Sequence, residues 1–167
     1  MILEKEVAEK ISFFIREMAE KDLDEVMAIE RVSFPSPWSR ELFKRELQLP
    51  LGKAFVAQEI SPPQVIGYFC CWLIIPEVHI LNIAVHPQKR QRGIGASLLQ
   101  HGLAYGWQKG GRHFTLEVRR SNYPAIGLYK KFQFQPWGIR RRYYTDTGED
   151  ALVMGLHLEE APSLAWL

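Results

Sequence analysis

Apolar positions change their period several times along this chain, and each change marks an element. Phe13-Phe14-Ile15 is a short apolar run that reads as a first strand, and Leu23, Val26, Met27 and Ile29 then recur at helical spacing. Asp22 stands just before that stripe with Glu25 three residues on, the spacing of a capping box. Phe34-Pro35-Ser36-Pro37-Trp38 cannot continue the helix, because two prolines interrupt it. Ser39 is placed to cap a second helix that runs to about Leu49, with Trp38 and Phe43 at the two positions of a hydrophobic staple. Ala54 to Gln58, Val65 to Ile75 and Val78 to Val85 read as strands. Short turns at Ser61-Pro62-Pro63-Gln64 and Pro76-Glu77 join them, which predicts an antiparallel meander. A long helix carries Ile94, Leu98, Leu99, Leu103 and Trp107 on one side and stops at Gly110-Gly111. His113 to Val118 is the next strand, and a short helix after Ser121-Asn122 carries Ile126, Leu128, Tyr129 and Phe132. Strands near Phe134 to Arg142 and Asp150 to His157 follow, and Leu158 to Leu167 is expected to be a loosely ordered tail. The order β, α, α, β, β, β, α, β, α, β, β predicts an α+β fold around one mixed sheet, its βαβ portion supplying parallel neighbours.

Composition adds bounds. The 167 residues suit one domain, 1–167, with a core over about 13–157. A hydrophobic content of 47%, a charged content of 24% and a net charge of +2 are those of an ordinary globular chain and do not by themselves imply nucleic acid. No apolar run approaches the roughly 20 residues of a membrane helix, and Met1 to Lys10 lacks the apolar core of a secretion signal, so a cytoplasmic location is expected. The two cysteines, Cys70 and Cys71, are adjacent and on a strand would face opposite ways, so buried thiols are expected, not a disulfide or a metal site.

The stretch with the clearest chemistry is Arg90-Gln91-Arg92-Gly93-Ile94-Gly95-Ala96-Ser97, between a strand and a helix. Its glycines let the backbone turn tightly, and the first N–H groups of the following helix have no partner within it. Together with the helix dipole they make a seat for phosphate or pyrophosphate. The competing reading is a plain helix start with solvated arginines. A P-loop is excluded because Ala96 stands where Lys is needed, and a dinucleotide fingerprint because the third glycine is missing.

This loop, followed by Leu116-Glu117-Val118-Arg119, Ser121-Asn122, Ala125-Ile126-Gly127-Leu128-Tyr129 and Phe132-Gln133-Phe134, resembles the GNAT acetyltransferases from about Ile15 to Leu156. Pro37-Trp38-Ser39 and Arg141-Arg142-Tyr143-Tyr144 further resemble the RimI-like branch, which acetylates the N-terminal alanine of a small-subunit ribosomal protein. The resemblance implies a central mixed, mostly antiparallel sheet with helices on both faces, acetyl-CoA as cosubstrate, and no metal. It implies Glu117 as general base, acting through a water, and Tyr129 as the acid that protonates the leaving thiolate. It also places the cofactor's arm against the backbone of Ile83, Ala84 and Val85, with Asn122 bonded to the pantetheine. The pyrophosphate falls on Arg90, Gln91, Arg92, Gly93, Ile94, Gly95, Ala96 and Ser97. Phe34 and Trp38 line one wall of an acceptor slot, and Tyr143 and Tyr144 overhang it. Two departures bear on local geometry: Tyr123-Pro124 replace small residues, and Gln133 stands where glycine is usual.

Each role has a structural competitor. Glu117 shares a strand face with Thr115 and could be a solvated glutamate or a partner of Arg119. Tyr129 could be core, Asn122 a plain helix cap, and the aromatics simple packing. His86 reads as a turn residue before Pro87 and carries no catalytic role. The chemistry itself favours an N-terminus, since an α-amine has a pKa of about 7.7 to 8.0 against about 10.4 for lysine, so a modest base suffices. The expected partner is an acceptor protein's N-terminus, ribosomal by resemblance, without direct nucleic acid or membrane contact, and the chain is expected as a monomer or weak dimer. Acetylation of a lysine or small amine, and a non-catalytic binding module, stay open as alternatives.

Overall fold

A computed structural model of the chain describes residues 10–163; the readings of residues 1–9 and 164–167 lie outside these. Seven strands, β1 (Phe13–Glu17), β2 (Gly52–Glu59), β3 (Gln64–Ile74), β4 (Glu77–Val85), β5 (His113–Arg119), β6 (Gln135–Tyr144) and β7 (Glu149–His157), form one sheet. Their spatial order is β1-β2-β3-β4-β5-β7-β6. Among the described strands β4 and β5 alone run parallel, joined by the crossover that contains the long helix. The helices are α1 (Leu23–Ser33), α2 (Arg40–Gln48), α3 (Ile94–Gln108) and α4 (Tyr123–Lys131).

Helices cover both faces of the middle of the sheet, while β6 at its edge is exposed. Val26, Ile29 and Phe43 of α1 and α2 close over Val56 and Tyr68 on one side. Leu98, Leu99 and Leu103 of α3, with Ile126 and Tyr129 of α4, close over Phe69, Phe114 and Leu116 on the other. Cys70 and Cys71 fall into these two separate cores, as alternation demands. Burial raises both thiols, Cys71 to about 12, so neither is a reactive thiolate. The α3 helix lies close to the sheet because Gly102 has no side chain: a Cβ there would collide with the Phe69 ring.

Two local expectations need correction. Asp22 and Glu25 do not form a capping box. The Asp22 carboxylate accepts two 2.8 Å bonds from Arg16 and one from the Ala19 N–H, which caps a preceding 3-10 turn, while Glu25 accepts from the Val65 N–H. A tertiary cation took the group that local spacing had assigned to the helix. The start of the tail is also not loose: Leu158 is buried in the α3–α4 core and its N–H bonds the Arg112 carbonyl. Gln133, which stands where glycine is usual, adopts φ +67°, so the tight left-handed turn is made without glycine. The Ser39 cap is present, accepting from Leu42, and Trp38 and Phe43 meet with ring centroids 5.2 Å apart.

The feature that creates the site is a defect in β4. Its register with β3 pairs Cys71 with Ile80 and Cys70 with Asn82, leaving Leu81 as a bulged residue. One extra residue reverses which face each following side chain meets. Val78 and Ile80 face α3 before the bulge, and Ile83 and Val85 do so after it, while Ala84 turns to the α1 core. The β4–β5 pairing ends at the same place, at Ile80 opposite Leu116. Beyond that point the strands diverge and a wedge opens between them.

Candidate active site

The wedge holds two cavities that share Ser33, Phe34, Ile83, Asn122, Ala125 and Tyr129 and so run into one another. One, of about 660 Å³, lies over the glycine loop. The other, of about 560 Å³, lies between α1, the ends of β4 and β5, and the β6–β7 turn.

The glycine-loop cavity is built mainly from backbone. Past Ile80, β4 has β3 on one edge and no strand on the other, so alternate N–H and C=O groups over Leu81–Val85 face the wedge. Gly93 precedes α3 with φ +80°, a conformation that favours glycine, and the first bond within the helix runs from Ser97 N–H to the Gly93 carbonyl. The N–H groups of Ile94, Gly95 and Ala96 are therefore left at the positive end of the helix. Arg90, Gln91, Gly93, Ile94, Gly95 and Ala96 line this cavity with Ala84 and Val85, whereas Arg92 and Ser97 do not. Arg90 is not simply solvated: it bonds the Val85 carbonyl at 3.0 Å and Ser33 Oγ at 3.1 Å, tying the loop to the ends of β4 and α1. Asn122 does cap α4, accepting from Ala125, and its side chain also borders both cavities.

The second cavity is made of side chains drawn from five elements. Glu117 points into it from β5, half-buried, with Oε2 2.6 Å from His79 Nε2 and Oε1 3.5 Å from Arg140. The bond from His79 holds the carboxyl below its usual range, with Arg140 adding to it. The suggested partner Arg119 is engaged elsewhere: it pairs with Asp146 at 2.6 Å and lies 4.0 Å over the Tyr144 ring. Tyr129 is buried at the junction of the cavities, and burial raises its phenol far above 10, so it keeps its proton at neutral pH. Phe34 and Trp38 stand on the α1–α2 side, Tyr143 and Tyr144 on the β6–β7 side. A hydrogen bond from Ser36 Oγ to Asp146 at 3.1 Å bridges these two walls.

Sequence reasoning missed His79, Asn82 and Glu30. The Glu30 carboxylate is buried in α1 and lines the second cavity, receiving bonds from the Trp38 N–H, the Tyr68 hydroxyl and Asn82 Nδ2. A signal existed for each. Glu30 is a charge set beside the apolar stripe of its helix, and His79 and Asn82 are polar residues three apart on one strand, a spacing that breaks period two and betrays the bulge.

Comparison with known proteins gives consistent results. Residues 23–134 match the Acetyltransferase (GNAT) family. The chain is 41% identical over 147 residues to a putative ribosomal protein bS18-alanine N-acetyltransferase of Bacillus subtilis, covering 87% of this chain and 96% of that one. It is 36% identical over 162 residues to an N-alpha-acetyltransferase of Sulfolobus acidocaldarius, covering 89% and 95%. The crystal structure of the ribosomal-protein-S18-alanine N-acetyltransferase from Escherichia coli superposes with a TM-score of 0.81 at 30% identity, covering 92% of this chain and 98% of that one.

Proposed function

Because this chain belongs to the acetyltransferase (GNAT) family and is an N-acetyltransferase, we propose that it transfers acetyl from acetyl-CoA to the α-amine of a protein N-terminus, an alanine on a small-subunit ribosomal protein. The observation that carries this reading is the joining of a backbone-lined cavity at a helix N-terminus to a second, aromatic-walled cavity containing a carboxylate, with a buried phenol where they meet. The named activity of the Bacillus subtilis and Escherichia coli relatives supports the choice of acceptor. On this reading the chain is one catalytic domain.

The diphosphate of acetyl-CoA sits at the amides of Ile94, Gly95 and Ala96, and the pantetheine arm runs along Ile83–Val85 past Asn122. A β4 amide facing the wedge donates to the thioester carbonyl, where negative charge develops. The neutral amine nitrogen attacks the carbonyl carbon, and the tetrahedral species loses its nitrogen proton through a water to Glu117. The C–S bond then breaks and Tyr129 gives its proton to the departing sulfur. Glu117, held ionised by His79 and Arg140, is ready to accept a proton at neutral pH. It is too weak a base to deprotonate an ammonium outright, which suits an amine that is already partly neutral near pH 7.5 and disfavours lysine.

The test compares turnover of a free peptide beginning with alanine against the same peptide N-blocked and carrying one lysine. The free peptide is expected to be the substrate; acetylation of the blocked peptide alone would overturn the reading.

A further inference from the structure

Three carboxylates line the acceptor-side cavity, and their surroundings differ. Glu117 faces His79 and Arg140, and Asp146 pairs with Arg119. Glu30 has three neutral donors and, among the described residues, no cation within ion-pair distance. Its side chain is almost wholly enclosed, at 1% exposure. A buried carboxylate normally sits with a cation or loses its charge, because the solvation it gives up is not otherwise returned.

The groups facing Glu30 donate hydrogen bonds without supplying a positive charge. From β3 come the Tyr68 hydroxyl and, farther off, the buried Cys70 thiol; from β4 comes Asn82 Nδ2, at 2.9 Å. The Trp38 N–H, at 2.9 Å, comes from the residue before the cap of α2, where the helix dipole is positive. Arg90 reaches Ser33, one turn along α1, but is bonded to that hydroxyl and to the Val85 carbonyl. An ionised carboxylate has about four acceptor sites, of which these donors fill three. Glu30 is also next to the bulge, through Asn82, and next to the aromatic wall, through Trp38.

We infer that Glu30 is the counter-charge that receives the acceptor's ammonium group as it enters the cleft, ahead of the attack in which Glu117 takes up a proton. The inference rests on the cavity being the acceptor site, as proposed above. It separates two tasks between two carboxylates: Glu30 binds the cationic amine, and Glu117 takes the proton from the amine that reacts.

The experiment measures KM for the acceptor peptide from pH 6.5 to 9 in the wild-type enzyme and in Glu30→Gln, with KM for acetyl-CoA followed alongside. The amide keeps the side-chain volume and an oxygen for the Trp38 N–H, and loses the charge together with the oxygen that accepts from Tyr68 and Asn82. At pH 6.5 the acceptor KM is expected to rise roughly tenfold, as for loss of one charged hydrogen bond. The ratio to wild type should fall toward unity by pH 9, where an α-amine of pKa about 7.7 to 8.0 is neutral. The KM for acetyl-CoA should stay within about twofold of wild type, since the glycine-loop cavity is untouched. A ratio that does not change with pH, or an equal rise in both KM values, would overturn the inference in favour of a purely structural Glu30. Tyr68→Phe, which removes one donor but leaves the charge, guards against misfolding: it should give a smaller effect with the same pH trend, and no trend in this variant would also count against the inference. Should the wild type prove to acetylate lysine, the N-terminal reading fails, but the Glu30 ratio is then read on the lysine peptide, where it should remain raised through pH 9.

Discussion

The two halves of the cleft are built in opposite ways. The glycine-loop half depends on backbone: a left-handed Gly93, three amides at the start of α3 and a strand edge freed by the bulge at Leu81. The other half depends on side chains from α1, the α1–α2 loop, β4, β5, α4, β6 and the β6–β7 turn, held in place by ion pairs and aromatic contacts. Backbone sites tolerate side-chain change but not a change of local conformation. Side-chain sites tolerate neither loss of a partner nor a shift of the elements that carry it. Substitutions should therefore separate cleanly by which kinetic constant they move.

The largest effect is expected at the chemistry. Glu117→Gln should lower kcat by about 10²- to 10⁴-fold, as for loss of a general base. Calorimetric affinity for CoA should be unchanged, and a matching loss of CoA binding would dissolve the division between the halves. Tyr129→Phe should also fall mainly on kcat, by a smaller factor of about 10². On the backbone side, Gly93→Ala meets no neighbouring atom within 4 Å, so its cost is conformational alone. Forcing an alanine to φ +80° should lower stability by about 1–2 kcal/mol and raise KM for acetyl-CoA while leaving KM for the acceptor in place. If instead the acceptor KM moved, the glycine loop would not be a cofactor seat.

Smaller effects follow at the wall contacts and the ion pairs. Ser36→Ala removes the bridge to Asp146, and a modest rise in acceptor KM of about two- to fivefold, the worth of one exposed hydrogen bond, is expected from steady-state kinetics. The acid limb of stability is a subtler probe. Burial alone would raise the Asp22 carboxyl, but the bonds from Arg16 and the Ala19 N–H outweigh it and hold the group below its usual range. Glu117 is held low by His79. A carboxyl with a lowered folded pKa contributes stability in full above its unfolded value, near 4, and loses it as pH falls through the folded value. Glu30 is shifted upward by burial, so its protonation in acid acts in the opposite direction and softens the loss. Denaturant melts of Asp22→Asn should thus be less stable than wild type at pH 7, with the difference closing toward pH 3. A constant gap across that range would show that the carboxylate's charge is not what matters.

The legibility of the two halves followed the same division. The glycine loop could be recognised as the start of α3 because its residues, Arg90 to Ser97, are contiguous in sequence and its glycines permit the local conformation. The places of Glu117 on a strand and Tyr129 on a helix were legible from the motifs that carry them. Their partners were not: His79 reaches Glu117 only because β4 and β5 run parallel side by side before they diverge, and Arg140 only because β6 follows beyond β7. The Arg119 alternative failed for the same reason, since the turn that brings Asp146 to Arg119 is distant in sequence. The Asp22 capping box failed because Arg16, from β1, outcompeted a local helix amide.

The sequence by itself determined the elements, the alternation that puts Cys70 and Cys71 in separate cores, and the loop at which α3 begins. These depend on period, propensity and chain-adjacent geometry. Only the tertiary structure decided which carboxylate would be paired, which would have no cation beside it among the described residues, and where the sheet would open. Those outcomes depend on register across strands and on one bulged residue, and electrostatic pairing is settled by distance in space, not by separation along the chain.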